Sequence, residues 1–323
     1  MNNNNSLRCP ICEARVFPKF TVPCDYRKPN NSQDYKIYWC SECDYGMTEN
    51  RPSKEEVEDF YDLDDYYTHN AATSDVNENK ISFLDRLRIH LSYLFDQGED
   101  LDPGEVDTLL KTNKPRMCEI GCGNGKNLIK FQASGYDVFG IEPDPAARKM
   151  AQKITPNILS GTAEELPQGI KNEKYDIVLM SHVLEHCIDI NKVMSNVKEI
   201  LNDGGVYIVE IPNCNSLGFQ TYRGEWPWSD IPRHLNFFTG SSLDKIFKKH
   251  GFETSFVKYQ GFCRQFSNSW LKTENEIWTA FYQCDIKKEK KPNFKTRAWK
   301  LLLKSIFMPN SVKYDSVRLI GVK

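Results

Sequence analysis

The sequence predicts an α/β fold, a parallel sheet covered by helices on both faces, preceded by a small cysteine-stapled module. Three observations predict it. Seven short apolar runs alternate with helix-like stretches between Met117 and Val322. The first run empties into a glycine-rich loop, Glu119-Ile120-Gly121-Cys122-Gly123-Asn124-Gly125. Two C-x2-C pairs, Cys9 with Cys12 and Cys40 with Cys43, precede both. Alternating strands and helices imply parallel pairing, because each helix carries the chain back to the same end of the sheet.

Length and composition bound the organisation. A chain of 323 residues exceeds what one core usually supports, about 250 to 300 residues. A module over 1–50, a helical connector over 51–99 and an α/β domain over 100–323 with a helical insertion at about 264–307 are expected. Hydrophobic residues at 40%, charged residues at 27% and a formal net charge of -2 are ordinary for a globular protein, and they argue against nucleic acid as a partner. No apolar run is long enough to span a bilayer, and Met1-Asn2-Asn3-Asn4-Asn5-Ser6 lacks the basic and apolar regions of a secretory signal. A cytoplasmic location is therefore expected. The eleven cysteines, an odd number, fit reduced thiols and one metal site better than a disulfide framework. Oligomeric state is not written in the sequence.

Each C-x2-C pair places two thiolates on one tight turn, and two such turns supply tetrahedral ligands for a structural Zn2+. Metal binding replaces the core that so small a module can hardly build. Cys9, Cys12, Cys40 and Cys43 are the expected ligands of a zinc-ribbon-like module, with Cys24 between them as a substitute. The connector opens with a capping pattern, Pro52-Ser53-Lys54-Glu55-Glu56, followed by Tyr61, Tyr66 and Tyr67. Helical spacing resumes at Ile81, Leu84, Leu87, Leu91 and Leu94.

The alternation then begins. Met117 to Ile120 reads as a strand, Lys126 to Ala133 as a helix closed by Gly135, and Val138 to Ile141 as the second strand. Asp144-Pro145 caps the next helix, with proline where its missing N–H costs nothing. Further strands are expected near Ile158-Leu159, at Asp176 to Met180 and at Val206 to Ile211, the last after a helix from Ile190 to Leu201 ended by Asn202-Asp203-Gly204-Gly205. A helix from about Ser241 to His250 and strands at Phe252 to Val257 and Ser316 to Val322 complete the count. The helix at Lys295 to Lys304 mixes basic and apolar residues; an ordinary amphipathic helix is the first reading and a membrane surface or partner the second.

Glycines at alternate positions after a strand let the backbone turn sharply and approach a ligand closely. Glu142, at the end of the second strand, is placed for a carboxylate to accept ribose hydroxyls. The G-x-G-x-G spacing departs from the G-x-G-x-x-G of dinucleotide folds.

On these residues the chain resembles the class I S-adenosylmethionine-dependent methyltransferases. Their first motif, an acid followed by G-x-G-x-G, matches Glu119, Gly121, Gly123 and Gly125, and their ribose-binding acid matches Glu142. Gly161-Thr162-Ala163-Glu164-Glu165-Leu166-Pro167 resembles the segment beside the adenine, Tyr175-Asp176-Ile177-Val178 the fourth strand, and Asn202-Asp203-Gly204-Gly205 the entry to strand five. The resemblance covers about residues 100 to 260 plus the closing strand. It implies a Rossmann-like seven-stranded sheet and S-adenosylmethionine held by Glu119, Gly121, Cys122, Gly123, Gly125, Glu142, Pro143, Thr162, Ala163, Glu164 and Ser181.

Methyl transfer from a sulfonium is an in-line displacement, so the protein aligns the acceptor and excludes water. A hydroxyl acceptor must also lose a proton, which suits a histidine. His182-Val183-Leu184-Glu185-His186 follows the fourth strand; if a helix begins there, His182, Glu185 and His186 share a face. The segment resembles the E-x-x-E-H of metal-assisted ubiquinone-type and small-RNA 2'-O-methyltransferases, with His182 replacing the first glutamate and His234 in the place of a later histidine. Two roles stay open for these four residues: a proton-accepting site, or ligands of a second divalent ion.

The layout also looks like the deoxysugar C-methyltransferases of natural-product pathways, but their Y-x-E-H aligns with Ile231-Pro232-Arg233-His234 and lacks the tyrosine. The expectation is O-methylation of a small molecule, such as a glycan, sugar nucleotide or secondary metabolite, with Trp226, Trp228 and the 264–307 helices walling the acceptor site. The alternatives are a metal-assisted RNA 2'-O-methyltransferase and a non-catalytic protein that retains the cofactor fold.

Overall fold

The computed structural model describes residues 7–29, 33–53, 56–57, 60, 82–98, 100–110, 112, 114–284 and 290–323. Tyr61, Tyr66, Tyr67 and Ile81 lie outside the described residues. The strands are β1 (Phe17–Val22), β2 (Tyr35–Cys40), β3 (Tyr45–Thr48), β4 (Arg116–Ile120), β5 (Asp137–Ile141), β6 (Ile158–Leu159), β7 (Tyr175–Ser181), β8 (Leu201–Pro212), β9 (Asn236–Phe237), β10 (Glu253–Gln260) and β11 (Ser316–Val322).

Seven of them form one sheet in the order β10-β11-β8-β7-β4-β5-β6. β4 through β8 pair in parallel, and β11 runs antiparallel to both neighbours, β8 and β10. The sheet is therefore mixed, not wholly parallel. The reason lies in the connection: Asp315 donates its N–H to the Gly261 carbonyl at 3.1 Å, so the insertion hands the chain back at the end of β10 where it left. No crossover intervenes, and a strand without a crossover returns antiparallel. The strand order reverses between β4 and β7, which opens a crevice beyond their C-terminal ends.

Local chemistry sets the helices around that crevice. Asp144 caps Pro145–Ala151 by accepting the Ala147 N–H at 2.6 Å, and Asp189 caps Ile190–Ile200 by accepting from Asn191 and Lys192. In the latter helix Ile190, Val193, Met194, Val197 and Ile200 are buried, the i, i+3, i+4 stripe that faces a sheet. Leu201 begins β8, so Asn202-Asp203-Gly204-Gly205 lies within that strand and not before it. At the connector, Ser53 and Glu56 make the expected reciprocal cap: Ser53 N donates to Glu56 Oε2 at 2.7 Å and Glu56 N to Ser53 Oγ at 3.3 Å.

The N-terminal strands form a second sheet, β1-β2-β3-β9, whose last strand comes from far along the chain. Gly46 pairs with Phe237 and Met47 with Asn236. Tyr45 and Asn236 are hydrogen-bonded at 2.5 Å in the seam. All eleven cysteines are free thiols.

Candidate active site

Three glycines of the loop after β4 have positive φ for different reasons. At Gly121 (φ +71°) an added Cβ would sit 2.4 Å from Val183 Cγ2, and at Gly125 (φ +86°) 2.3 Å from Ile154 Cδ1. At Gly123 (φ +53°) it would meet nothing within 4 Å, because that residue faces an open cleft. Glu142, at the end of β5, accepts the Gly123 N–H at 2.7 Å and the Asp144 N–H at 2.9 Å. Burial raises its pKa against the pull of those two amides.

The cleft has a volume of about 1360 Å³. Of the expected cofactor residues, Gly121, Gly123, Glu142, Pro143, Thr162, Ala163, Glu164 and Ser181 line it. Thr162 Oγ1 accepts the Glu165 N–H at 3.1 Å, and Glu164 Oε1 accepts the Ile188 N–H at 2.7 Å, so two turns of the wall are tied by side chains. Glu119, Cys122 and Gly125 stand behind the wall. Glu119 is buried, its Oε1 accepts from Asn127 Nδ2 at 2.7 Å, its Oε2 has no hydrogen-bond partner among the described residues, and burial pushes its pKa up to about 8. Cys122 packs into the core and Gly125 caps the helix Lys126–Ala133.

The expected helix at His182 is replaced by a three-residue 3-10 turn, Leu184–His186. His182 donates its backbone N–H to the Glu210 carbonyl at 2.8 Å, continuing the β7 to β8 ladder, and then turns with φ +56°. That left-handed step costs of order 1 kcal/mol in a non-glycine residue. It aims the His182 ring at Glu185, whose Oε1 lies 3.3 Å from Nδ1. His182, with 36% of its side chain exposed, meets Trp228 edge-on at 4.9 Å. Burial lowers the His182 pKa, but the Glu185 hydrogen bond and charge outweigh it and the net shift is upward.

Glu185 is buried and stays ionised more readily than usual: burial opposes this, but the His182 hydrogen bond and the imidazoles around it prevail. Among the described residues its Oε2 has no hydrogen-bond partner, and Glu185, His186 and His234 each offer a ligand atom within 4.8 Å of the others. The His186 and His234 rings are 4.6 Å apart. Burial, with His186 second, drives the His234 pKa down to about 4, which keeps that ring neutral.

The two tryptophans separate. Trp228 lines the cleft, with the Arg264 guanidinium 3.7 Å above its ring. Trp226 is 1% exposed and packs behind it against Phe219 and Trp270. Among the described residues, none from 264–307 lines the cleft; that insertion backs the wall. Sequence reading missed Asp230 in the lining and the buried ions behind it, Arg233 and Asp25, because nothing local marks a charged residue for burial.

The sulfurs of Cys9, Cys12, Cys40 and Cys43 lie within 4.8 Å of one another, the spread that four ligands of one small cation require. Cys24 is not among them. It is buried elsewhere, against Ala280 O and Cys284.

A family model described as a methyltransferase domain matches residues 89–255. A ubiquinone biosynthesis O-methyltransferase of Azorhizobium caulinodans is 29% identical over 152 residues, 43% of this chain and 59% of its own length. An uncharacterized protein of Methanocaldococcus jannaschii is 26% identical over 160 residues, 49% of this chain and 75% of its own. The matched part of this chain thus spans less than two thirds of the first of these relatives. A solved structure described as a SAM-dependent methyltransferase, possible histamine N-methyltransferase, from Thermotoga maritima aligns over 73% of this chain and 91% of its own, at 21% identity and a TM-score of 0.45. With the family model covering half of the chain and the strand order, glycine loop and Glu142 in place, the chain belongs to the class I S-adenosylmethionine-dependent methyltransferases.

Proposed function

We propose that this protein methylates a hydroxyl oxygen of an uncharged small molecule, a glycan or secondary metabolite, with His182 as the proton acceptor. The observation that carries this reading is the Glu185–His182 pair at 3.3 Å, in the same cleft that Gly123 and Glu142 line. A carboxylate that accepts from Nδ1 orients the imidazole and leaves Nε2 as the basic atom. Bound S-adenosylmethionine would supply an electrophilic methyl group on sulfur. Glu142 would hold its ribose hydroxyls, the Gly123 backbone would admit it closely, and Ala163 and Glu164 would flank its base. Val183, Ile188, Pro212 and Trp228 give the cleft an apolar wall that would help exclude water from a bound acceptor. The O-methyltransferase named among the relatives supports oxygen as the acceptor atom.

The charge of the cleft favours a neutral acceptor over a phosphorylated one. Among the described residues Glu142, Asp144, Glu164, Glu165, Glu185 and Asp189 line it beside Lys192 and three histidines, while the Asp230 carboxylate there is offset by Arg233 and Arg27. A polyanion such as RNA meets repulsion there.

A second reading rests on Glu185 Oε2, buried and without a partner beside two imidazoles. A carboxylate and two nitrogens suit a divalent cation, so Glu185, His186 and His234 would hold one and polarise the acceptor oxygen. Cys9, Cys12, Cys40 and Cys43 would hold a structural Zn2+.

The test is turnover of labelled S-adenosylmethionine with a panel of neutral and phosphorylated hydroxyl compounds. Transfer to neutral acceptors that falls at least tenfold in kcat in His182→Gln supports the reading. Label on nitrogen or carbon, or full activity of His182→Gln, overturns it. Activity that survives a chelator which leaves the cysteine-bound metal in place removes the divalent-ion reading.

A further inference from the structure

The candidate histidines are held from outside the cleft, and the hold leads to the N-terminal module. His186 Nδ1 lies 3.1 Å from the carbonyl oxygen of Arg233. A carbonyl only accepts, so Nδ1 carries the proton and Nε2 is the acceptor of the neutral ring.

Arg233 is itself immobilised. Its side chain is 0% exposed; Nη1 and Nη2 donate to the two carboxylate oxygens of Asp25 at 2.9 and 2.7 Å, and Nε donates to Asp230 Oδ1 at 3.0 Å. Arg27 Nε donates to the same Asp230 oxygen at 3.2 Å, so two cations meet two anions. Asp230 lines the cleft, and its carbonyl accepts the His234 N–H at 3.0 Å. Asp25 belongs to the segment between β1 and β2, on the other sheet. A planar guanidinium gripped on two edges fixes both the position and the orientation of its own backbone, which a single ammonium does not.

We propose that Asp25 and Arg233 are positioning residues that lock His186 in its Nδ1–H tautomer, so that the N-terminal module decides which ring nitrogen accepts in the active site. The inference rests on His186 being an active-site group. It gives the module a task beyond folding: the strand pairing of β3 with β9 and the Asp25–Arg233 bridge both seize the segment that carries His234 and the Arg233 carbonyl.

The test is the histidine tautomer in the full-length protein, read from two-bond 1H–15N spectra of 15N-histidine-labelled chain, with His186→Gln identifying the resonance. The wild-type protein is expected to show His186 as Nδ1–H. Asp25→Asn and Arg233→Lys are expected to bring in the Nε2–H form, which free imidazole side chains prefer, and to lower kcat roughly tenfold with the KM for S-adenosylmethionine unchanged. Asp25→Glu, which keeps the charge, is expected to restore part of the Nδ1–H population. A wild-type His186 in the Nε2–H form, or folded variants that keep pure Nδ1–H, overturns the proposal. Should Asp25→Asn and Arg233→Lys not fold, the wild-type tautomer and the Asp25→Glu spectrum decide it. The spectrum needs no methyl acceptor, so its outcome is separate from that of the proposed reaction.

Discussion

Gly123 donates its amide proton to the Glu142 carboxylate at 2.7 Å, which ties the glycine loop after β4 to the end of β5. The same carboxylate lines the cleft, where it would meet the ribose of a bound cofactor. Glu142→Ala is expected to weaken S-adenosylmethionine binding at least tenfold, about 1.4 kcal/mol by calorimetry. An unchanged Kd would remove Glu142 from the cofactor site.

The loop glycines are expected to fail in different ways. Gly121→Ala forces a methyl against Val183 Cγ2 and keeps a positive φ, so a loss of about 1 to 3 kcal/mol in unfolding free energy is expected. Gly123→Ala meets no protein atom and should lose only the roughly 1 kcal/mol of its positive φ, less than Gly121→Ala, while its Cβ would crowd a bound cofactor. Paired denaturation and binding curves check this. Equal stability losses in the two variants would contradict it.

Activity is expected to follow His182. Its pKa is raised above the ordinary 6.5 by Glu185, and only the neutral ring accepts a proton, so kcat/KM should climb as pH rises through that raised value. Glu185→Gln removes the carboxylate, and the acid limb should move to lower pH as kcat falls. An acid limb that does not move assigns the titration to another group.

Two buried groups should tilt stability in known directions. Glu119 ionises near 8 when folded and at an ordinary 4.5 when unfolded, so the folded state holds the extra proton between these values and loses stability as pH rises through that window. His234 titrates near 4 folded and near 6.5 unfolded, so there the unfolded state holds the extra proton and stability falls as pH drops from 6.5 toward 4. Glu119→Gln should gain on the wild type in Tm from pH 5 to pH 8, and His234→Gln from pH 6.5 to pH 4. Parallel Tm curves would show that neither group titrates as its burial implies.

The tryptophans give a last separation. Trp226→Ala opens a void in a packed cluster and should cost about 3 to 5 kcal/mol. Trp228→Ala, at the cleft wall, should cost less in stability and raise the acceptor KM. A matching KM effect from Trp226→Ala at temperatures where it is folded would place that ring in the site.

Much of this was readable in order along the chain. The glycine loop, Glu142, the caps at Ser53 and Asp144, and the four paired cysteines are local patterns, and local patterns report backbone geometry within a few residues. Trp226 and Trp228 show the limit: they are two residues apart and chemically alike, yet one is buried and one lines the cleft. The turn at His182 was equally hidden, because it answers to a ladder bond that His182 N–H donates to the Glu210 carbonyl in a different strand.

The sequence by itself determined the alternation of strand and helix, the glycine loop and the acid at the end of β5, and the thiol set of the N-terminal module, since each depends on neighbours a few positions away. Tertiary structure alone decided that β11 runs antiparallel, that β9 completes the N-terminal sheet, and that Asp25 reaches Arg233 behind His186. Those relations join residues up to 208 positions apart. Their energy comes from burying charge and pairing strand edges, and neither exists until the chain has closed on itself.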